Sequence, residues 1–420
     1  MISPLWICVV FYFAEFGPQT FMEDMLRYAA YQPEFYQSRF HRALILANVA
    51  MAAGIVVCAP FLRRAIQQFD GGTYRHDVLI TFKGRAFFVI AIAVYCVIFL
   101  ATDGVELPRL REHIAYLLGR TASTYADIRR ELFSGTPVET LMAYTRQSTS
   151  ALLVATSMIY VLKTNNLTYV ALIFVLYICC FLQLNKFPLL YIFVVIFIAT
   201  YIYKTQRINP RPRDVGLFAG TIALLLFVLL VLYQIQYRAQ LNTGAVNYDD
   251  LTETIIYRPF FNQADTLRLW FEEFPERTPF LGVSNISLLA PLFGLEFVDV
   301  TKLIPDKYVA PDLTTFQAGF IGSGYASFGY LGIFLYGMIV TMLASLATVT
   351  YLRIKPSDLR AVFGSVIMLN MYFFFSRELS TALLSGGIIP VILIGMLFRS
   401  VPLPQPEAGG EQRYGQVVQA

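Results

Sequence analysis

Residues 316–350 read FQAGFIGSGYASFGYLGIFLYGMIVTMLASLATVT, a stretch without a charged side chain. Runs of roughly 18 or more mostly apolar residues are typical of helices that cross a membrane, and such runs recur along the chain. Of the 420 residues, 57% are hydrophobic and 14% are charged, and the mean hydropathy is +0.58. A soluble domain carries about 25% charged residues. We therefore predict an all-α protein, a polytopic bundle of transmembrane helices.

The apolar runs predict about ten helices within a transmembrane domain of residues 1–400. They cover residues 2–22, 43–62, 86–102, 148–163, 166–184, 187–203, 215–233, 316–350, 361–376 and 383–398. The first run lacks the basic start and the small-residue cleavage site of a signal peptide, so we interpret it as a retained helix. Residues 401–420 are rich in Pro, Gly and Gln, which predicts a disordered cytoplasmic tail.

Basic residues in short loops predict the orientation of the bundle, because cytoplasmic loops are enriched in Lys and Arg. Three loops show this bias, with basic clusters within residues 63–85, 204–213 and 353–360. All three lie on one side if both termini are cytoplasmic. The long loops at about residues 103–147 and 234–314 then lie on the external side, and the second of these is rich in acidic residues.

The segment QADTLRLWFEEF, residues 263–274 of the second long loop, has the pattern of an amphipathic helix. Its apolar residues recur at helical spacing, at positions Leu267, Trp270, Phe271 and Phe274. Glu272 and Glu273 lie toward the other face. We expect this helix to lie on the membrane or to cap the bundle, and the other long loop carries a similar pattern near residues 110–118.

Several classes of site are not indicated by the sequence. All the cysteines fall inside apolar runs, which argues against disulfides and against a metal cluster, at Cys8, Cys58, Cys96, Cys179 and Cys180. The three histidines are scattered, and the chain has no P-loop and no GxGxxG motif. We therefore expect no metal, no cofactor and no nucleic acid partner.

Cations at the predicted external face suggest a site for an anion. Lys186, Arg258 and Arg377 reach this face from distant parts of the chain, although cations are less common there. A lipid phosphate or diphosphate is the natural candidate, because guanidinium groups match phosphate oxygens. Each cation also has a simpler explanation. Arg258 would pair with a nearby acid, Lys186 would extend to lipid headgroups, and Arg377 would form an ion pair with Glu378.

The helix predicted at residues 316–350 is expected to begin at the same face. Thr314 and Gln317 have the spacing of a capping box. Small residues then recur every four positions, at Ala318, Gly319, Gly322, Ser323, Ala326 and Ser327. Such residues let helices approach closely in a membrane, and this packing alone would explain them. The positive end of the helix dipole would add to an anion site, and Asp312 is the nearest acid that could orient a sugar hydroxyl.

Four segments resemble those of the O-antigen polymerase (Wzy-type) family, also called oligosaccharide repeat unit polymerases. They are NKFPLL at residues 185–190, the external segment at residues 258–282, GSGYASFGYLG at residues 322–332, and FFFSRELSTALL at residues 373–384. The resemblance covers roughly residues 150–398. Glu378 stands where the family often has glycine. Ala318 and Gly319 stand where the related O-antigen ligases carry a His-Asn pair, which favours a polymerase.

The resemblance implies a glycosyl transfer at the outer face of the bacterial inner membrane, without a metal or a nucleotide sugar. The donor is a glycan on undecaprenyl diphosphate, and a hydroxyl of a second lipid-linked repeat unit attacks its anomeric carbon. The candidate catalytic residues are Arg258, Arg377, Asp312 and Glu378. The candidate substrate-binding residues are Lys186, Arg268, Trp270 and Arg277. The arginines would hold the diphosphate, and Asp312 or Glu378 would act as the base.

Two alternatives share parts of this pattern. An O-antigen ligase-like enzyme would transfer the glycan to lipid A core, and a flippase or other transporter would move the lipid-linked glycan across the membrane. A transporter is expected to place charged groups at the membrane midplane, whereas the charges here lie mainly in loops and at helix ends. The partners implied for a polymerase are membrane lipid, a chain-length regulator and a flippase.

Overall fold

The computed structural model of the chain describes residues 3–17, 33–69, 77–79, 82–103, 137–181, 186–205, 213, 216, 220, 262–286, 289–308 and 318–399. The regular elements within these ranges are helices. In chain order they are α1 (Pro4–Phe16), α2 (Pro33–Gln67), α3 (Phe82–Asp103), α4 (Pro137–Thr164), α5 (Leu167–Phe181), α6 (Lys186–Thr205), α7 (Asn262–Glu273), α8 (Val300–Tyr308), α9 (Gly319–Arg353), α10 (Ser357–Asn370), α11 (Phe373–Ser376), α12 (Leu379–Leu383) and α13 (Ile388–Arg399). Two short 3-10 helices, Gly282–Asn285 and Ala290–Phe293, lie between α7 and α8.

Four stretches of the described chain are long and apolar enough to cross a membrane. They are Arg39–Gln67, Gly319–Arg353, Ser357–Ser376 and Leu379–Arg399. The prediction of an all-helical membrane protein is confirmed in this coarser form. Helices also cover most of the other predicted runs, but residues 215–233 lie largely outside the described ranges. The number of about ten helices therefore stays a prediction, as does the placement of the long loops and of the tail.

Asp77 joins three helices at one end of the bundle. Its carboxylate accepts hydrogen bonds from Ser357 Oγ at 2.8 Å and from the Tyr203 hydroxyl at 3.2 Å, and it forms an ion pair with Lys163. These contacts bring together the ends of α4 and α6 and the start of α10. Each of the three basic loops of the sequence has a described residue at or beside these contacts, namely Asp77, Lys204 and Ser357, and these residues lie at the same end of the bundle.

The segment from α7 to α8 lies at the other end of the bundle. Arg39, near the start of α2, donates hydrogen bonds to both carboxylate oxygens of Glu276, at 2.5 and 2.9 Å. It also donates to the carbonyl oxygen of Phe271 at 3.2 Å. A helix rises about 1.5 Å per residue, so α2 runs roughly 40 Å from this contact to its other end at Gln67.

Helix α9 contains a sharp turn at Phe328 and Gly329. Gly329 has φ 62° and ψ −143°, a conformation that side-chain-bearing residues rarely adopt. After the turn, residues 330–353 start back along residues 319–327. A Cβ atom on Gly324 would lie 2.7 Å from the carbonyl oxygen of Gly332, although residues eight apart in a straight helix lie about 12 Å apart. The predicted single run at 316–350 is thus a short buried helix followed by a long one.

Candidate functional site

The second half of the chain contains a break between α11 and α12. Arg377 and Glu378 leave the helical conformation, with φ −142° and ψ 160° at Arg377 and φ −56° and ψ 145° at Glu378. The break packs on the short helix at residues 319–327. The Leu379 N–H donates to Ser323 Oγ at 3.3 Å, and a Cβ atom on Gly319 would lie 2.5 Å from the Phe375 carbonyl oxygen. Because a broken helix leaves backbone groups unsatisfied, it is stable in a membrane only when packed on protein in this way.

Glu378 is buried within this break, between two of the candidate membrane spans. Its carboxylate accepts a hydrogen bond from Ser380 Oγ at 3.0 Å and another from the Thr381 side chain. Among the described residues no cation forms an ion pair with it. Burial raises the pKa of Glu378 to about 7, since an ionised carboxylate loses its hydration there, and the two hydroxyls offset part of this effect.

A second carboxylate, that of Asp299, lies near enough to act on Glu378 electrostatically. Its negative charge also raises the pKa of Glu378, although by less than burial does. Asp299 is held at the start of α8, where its Oδ1 accepts hydrogen bonds from Thr301 N–H at 3.0 Å and Thr301 Oγ at 2.6 Å. Two acids from distant parts of the chain therefore face one region, and one of them is poised to exchange a proton near neutral pH.

Buried amide and hydroxyl groups line the short helix beside the break. The Asn285 side-chain N–H donates to the Ser323 carbonyl oxygen at 3.2 Å and to Ser327 Oγ at 3.1 Å. The Tyr336 hydroxyl lies 3.4 Å from Ser327 Oγ. The Oδ1 atom of Asn285 is buried and has no hydrogen-bond partner among the described residues. This group of atoms is suited to a ligand that carries hydroxyl groups, because such a ligand both donates and accepts hydrogen bonds.

Arg377 is half-buried, and its guanidinium carbon lies 4.2 Å from the centre of the Phe373 ring. The predicted ion pair between Arg377 and Glu378 is not formed, because side chains of consecutive residues in extended backbone diverge. The break therefore presents a cation on one side and a buried acid on the other.

Helix α7 caps the bundle, as the amphipathic pattern predicts. The four apolar residues of the predicted pattern are all fully buried, Leu267, Trp270 and Phe271 within α7 and Phe274 directly after it. Trp270, a predicted substrate-binding residue, packs on Gly322, where a Cβ atom would lie 2.9 Å from the indole ring. The small residue at position 322 thus admits the indole. The Trp270 ring nitrogen is buried without a hydrogen-bond partner among the described residues.

Glu272 and Glu273, which the sequence places toward the other face of α7, are not exposed to solvent. Both are buried, because α8 and the turn after α7 cover them. Glu273 forms an ion pair with Lys307 and accepts a hydrogen bond from the Tyr308 hydroxyl at 3.2 Å. Burial alone would raise the pKa of Glu273, but the hydrogen bond from Lys307 and that from Thr278 outweigh it and lower the pKa. These acids hold α7 to α8.

The two arginines predicted to bind substrate lie in different surroundings. Arg277 pairs with Glu272 at 2.5 Å and donates to the Tyr308 hydroxyl at 2.8 Å. Its charge is therefore largely balanced within the protein. Arg268 is buried and lies over the Phe40 ring, with 5.8 Å between the guanidinium carbon and the ring centre. Arg277 is thus held within the segment from α7 to α8, and Arg268 packs toward α2.

Three predicted residues cannot be placed in full. Arg258 and Asp312 lie outside the described residues, and so does the side chain of Lys186. The backbone of Lys186 begins α6, whose last turn contacts Asp77 through Tyr203. Lys186 therefore starts at the opposite end of the bundle from Asp77, which is the end that holds Glu378.

Three site residues were missed by the sequence analysis, namely Asn285, Asp299 and Tyr336. None of them belongs to a motif, and each is brought to the site by a turn or by packing between distant elements. A partial signal is the charge-free stretch around Asn285, within an otherwise acidic loop.

Comparisons of the chain with protein-family models, with curated proteins and with solved structures found no match.

Proposed function

We propose that the protein is a membrane glycosyltransferase that polymerises oligosaccharide repeat units carried on undecaprenyl diphosphate. The reaction would take place at the outer face of the bacterial inner membrane, with both termini cytoplasmic. The observation that carries the proposal is the environment of Glu378. It is a buried carboxylate with hydroxyl partners, in a helix break, and an arginine precedes it.

Glu378 is the proposed general base. A hydroxyl of the acceptor sugar gives its proton to the Glu378 carboxylate, and its oxygen attacks the anomeric carbon of the donor glycan. A base with a pKa near the working pH combines an adequate ionised fraction with a useful proton affinity, and burial gives Glu378 a pKa of about 7. The amide oxygen of Asn285 and the hydroxyl of Tyr336 would orient sugar hydroxyls beside it.

Arg377 is the proposed anion-binding group. As the glycosidic bond breaks, the lipid diphosphate leaves with its bonding electrons, and a positioned guanidinium stabilises the charge that develops. Arg258 and Lys186 are candidates to bind the same diphosphate, on the sequence evidence given above. Arg277 is a weaker candidate than the sequence suggested, because Glu272 and Tyr308 already bind it.

The decisive experiment is a gel of surface polysaccharide from cells that lack the gene. A polymerase predicts loss of the long ladder while glycan of a single repeat unit is retained. Loss of the single repeat as well would contradict the proposal and would favour a ligase or a flippase.

Complementation with point variants then tests the site itself. Glu378→Gln should lower polymerisation by roughly 10²–10⁴-fold if the carboxylate is the base. Arg377→Lys should lower it by about 10²–10³-fold, because lysine keeps the charge but loses the paired donors. Glu296→Gln is the control, since Glu296 is an exposed acid in the loop before α8. A full ladder from either site variant at normal protein level would remove that residue from the mechanism.

A proton-coupled flippase for the same lipid-linked glycan is a second candidate function. It is favoured by the same feature, because a buried carboxylate without a cation partner is typical of groups that carry protons through membrane transporters. The two functions separate on purified protein in liposomes. A polymerase lengthens glycans when donor and acceptor lipids are in one leaflet, whereas a flippase moves them between leaflets without lengthening them.

A further inference from the structure

Residues 278–295 form a charge-free segment beside the candidate site, between Arg277 and Glu296. Its backbone is anchored to the bundle and to itself. The Leu281 N–H donates to the Ala326 carbonyl oxygen at 2.9 Å, and the Val298 N–H donates to the Ser284 carbonyl oxygen at 2.9 Å. Asn285 and Ala290 are buried. The described residues of the segment, 278–286 and 289–295, are thus an integral part of the fold.

The same segment exposes large apolar side chains. Leu292 is 78% exposed and Phe293 is 66% exposed. Further exposed apolar residues flank them, at Phe280, Leu289, Leu295 and Phe297. Single exposed apolar residues are ordinary in proteins, but a contiguous exposed group marks a surface that contacts a partner or a membrane.

This apolar surface continues a stripe of exposed residues on α9. The stripe recurs every three or four residues along one helix face, at Leu331, Leu335, Ile339, Met342 and Leu346. It belongs to a candidate membrane span, so lipid is what it would contact. At the end of the stripe nearest Leu331, the ring of Phe280 lies against Gly329. A Cβ atom on Gly282 would lie 3.9 Å from the ring of Phe328. The charge-free segment therefore begins where the stripe ends.

We infer that the described residues of this segment, 278–286 and 289–295, lie in the bilayer leaflet at this end of the bundle, with Leu292 and Phe293 inserted among the lipid chains. Continuity with the stripe on α9 selects lipid as the occupant. The absence of charged side chains across the segment agrees with this choice, since a charge would resist insertion. This inference is independent of the reaction.

The inference is tested by tryptophan fluorescence on the full chain reconstituted in liposomes. The sequence has two tryptophans, and Trp6 is exposed while Trp270 is buried. A Trp6→Phe background removes the exposed one, and the signal of Trp270 is subtracted. Phe293→Trp is then compared with Asp306→Trp, a control at an exposed position of α8 in the same part of the chain. Leu292→Trp provides an independent second probe.

Brominated phospholipids should quench Phe293→Trp and Leu292→Trp several-fold more than Asp306→Trp, while aqueous acrylamide should show the reverse order. If acrylamide quenches both probes and the brominated lipids quench neither, the segment lies in water. Protection of both probes from both quenchers would mean that protein covers them, as in a second copy of the chain. Either of these last two results would overturn the inference.

Discussion

Replacing Glu378 with glutamine should separate the stability of the protein from its proposed activity. The pKa of Glu378 rises from 4.5 to about 7, because burial disfavours the ionised form. The folded protein therefore binds a proton more tightly than the unfolded chain does. Stability is unaffected below about pH 4.5, falls as the pH rises through the interval up to about pH 7, and stays lower above it.

The magnitude follows from the size of this interval. One pKa unit corresponds to about 1.4 kcal/mol, so ionised Glu378 costs the fold about 3 kcal/mol at pH 8. Glutamine is neutral at every pH and can still accept the hydrogen bond from Ser380. We expect Glu378→Gln to match the wild type near pH 4.5 and to be more stable at pH 8, although it loses polymerisation.

The assay is thermal unfolding of the full-length protein in lipid nanodiscs between pH 4.5 and pH 8. The melting temperature of the wild type should fall by several degrees relative to Glu378→Gln as the pH rises, since about 1 kcal/mol shifts a melting temperature by roughly 2–4 °C in larger domains. Glu296→Gln serves as the exposed control and should follow the wild type. Parallel curves for Glu378→Gln and the wild type would refute the reasoning, because they would show that the pKa of this carboxylate is the same in the folded and unfolded states.

Two further predictions concern the packing that positions the site. Gly324→Val should prevent the close approach to Gly332 and lower the yield of folded protein, because a Cβ at position 324 would lie 2.7 Å from a carbonyl oxygen. Size-exclusion chromatography measures the yield, and Leu346→Ala, at an exposed position of α9, is the control. Equal yields from the two variants would contradict the close packing. Arg39→Lys should loosen the attachment of α7 by roughly 1 kcal/mol, since lysine cannot bind both oxygens of Glu276. Hydrogen exchange in residues 266–281 should rise in this variant and in Glu276→Gln alike, and effects that add in the double variant would show that the two side chains act separately.

Local patterns of residues were enough to predict the properties that each helix has on its own. Long apolar runs identified a helical membrane protein, because each turn of helix satisfies its own backbone and needs no distant partner to do so. The spacing of Leu267, Trp270 and Phe271 likewise identified the apolar face of α7 that packs on the bundle, since a helix places these positions side by side whatever it packs against. The stretch FFFSRELSTALL marked the helix break, because Arg377 and Glu378 interrupt an apolar run.

Tertiary structure alone decided which of these features meet. Glu272 and Glu273 belong to the polar face of α7 by sequence, but α8 covers them and supplies Lys307 and Tyr308. Asn285, Asp299 and Glu378 come from separate segments. The turn at Gly329 and the break at Glu378 bring these segments together, and the contacts are made between elements far apart in the chain. Spacing along one sequence carries no record of such contacts, because their geometry is set by how helices pack and not by how each helix forms.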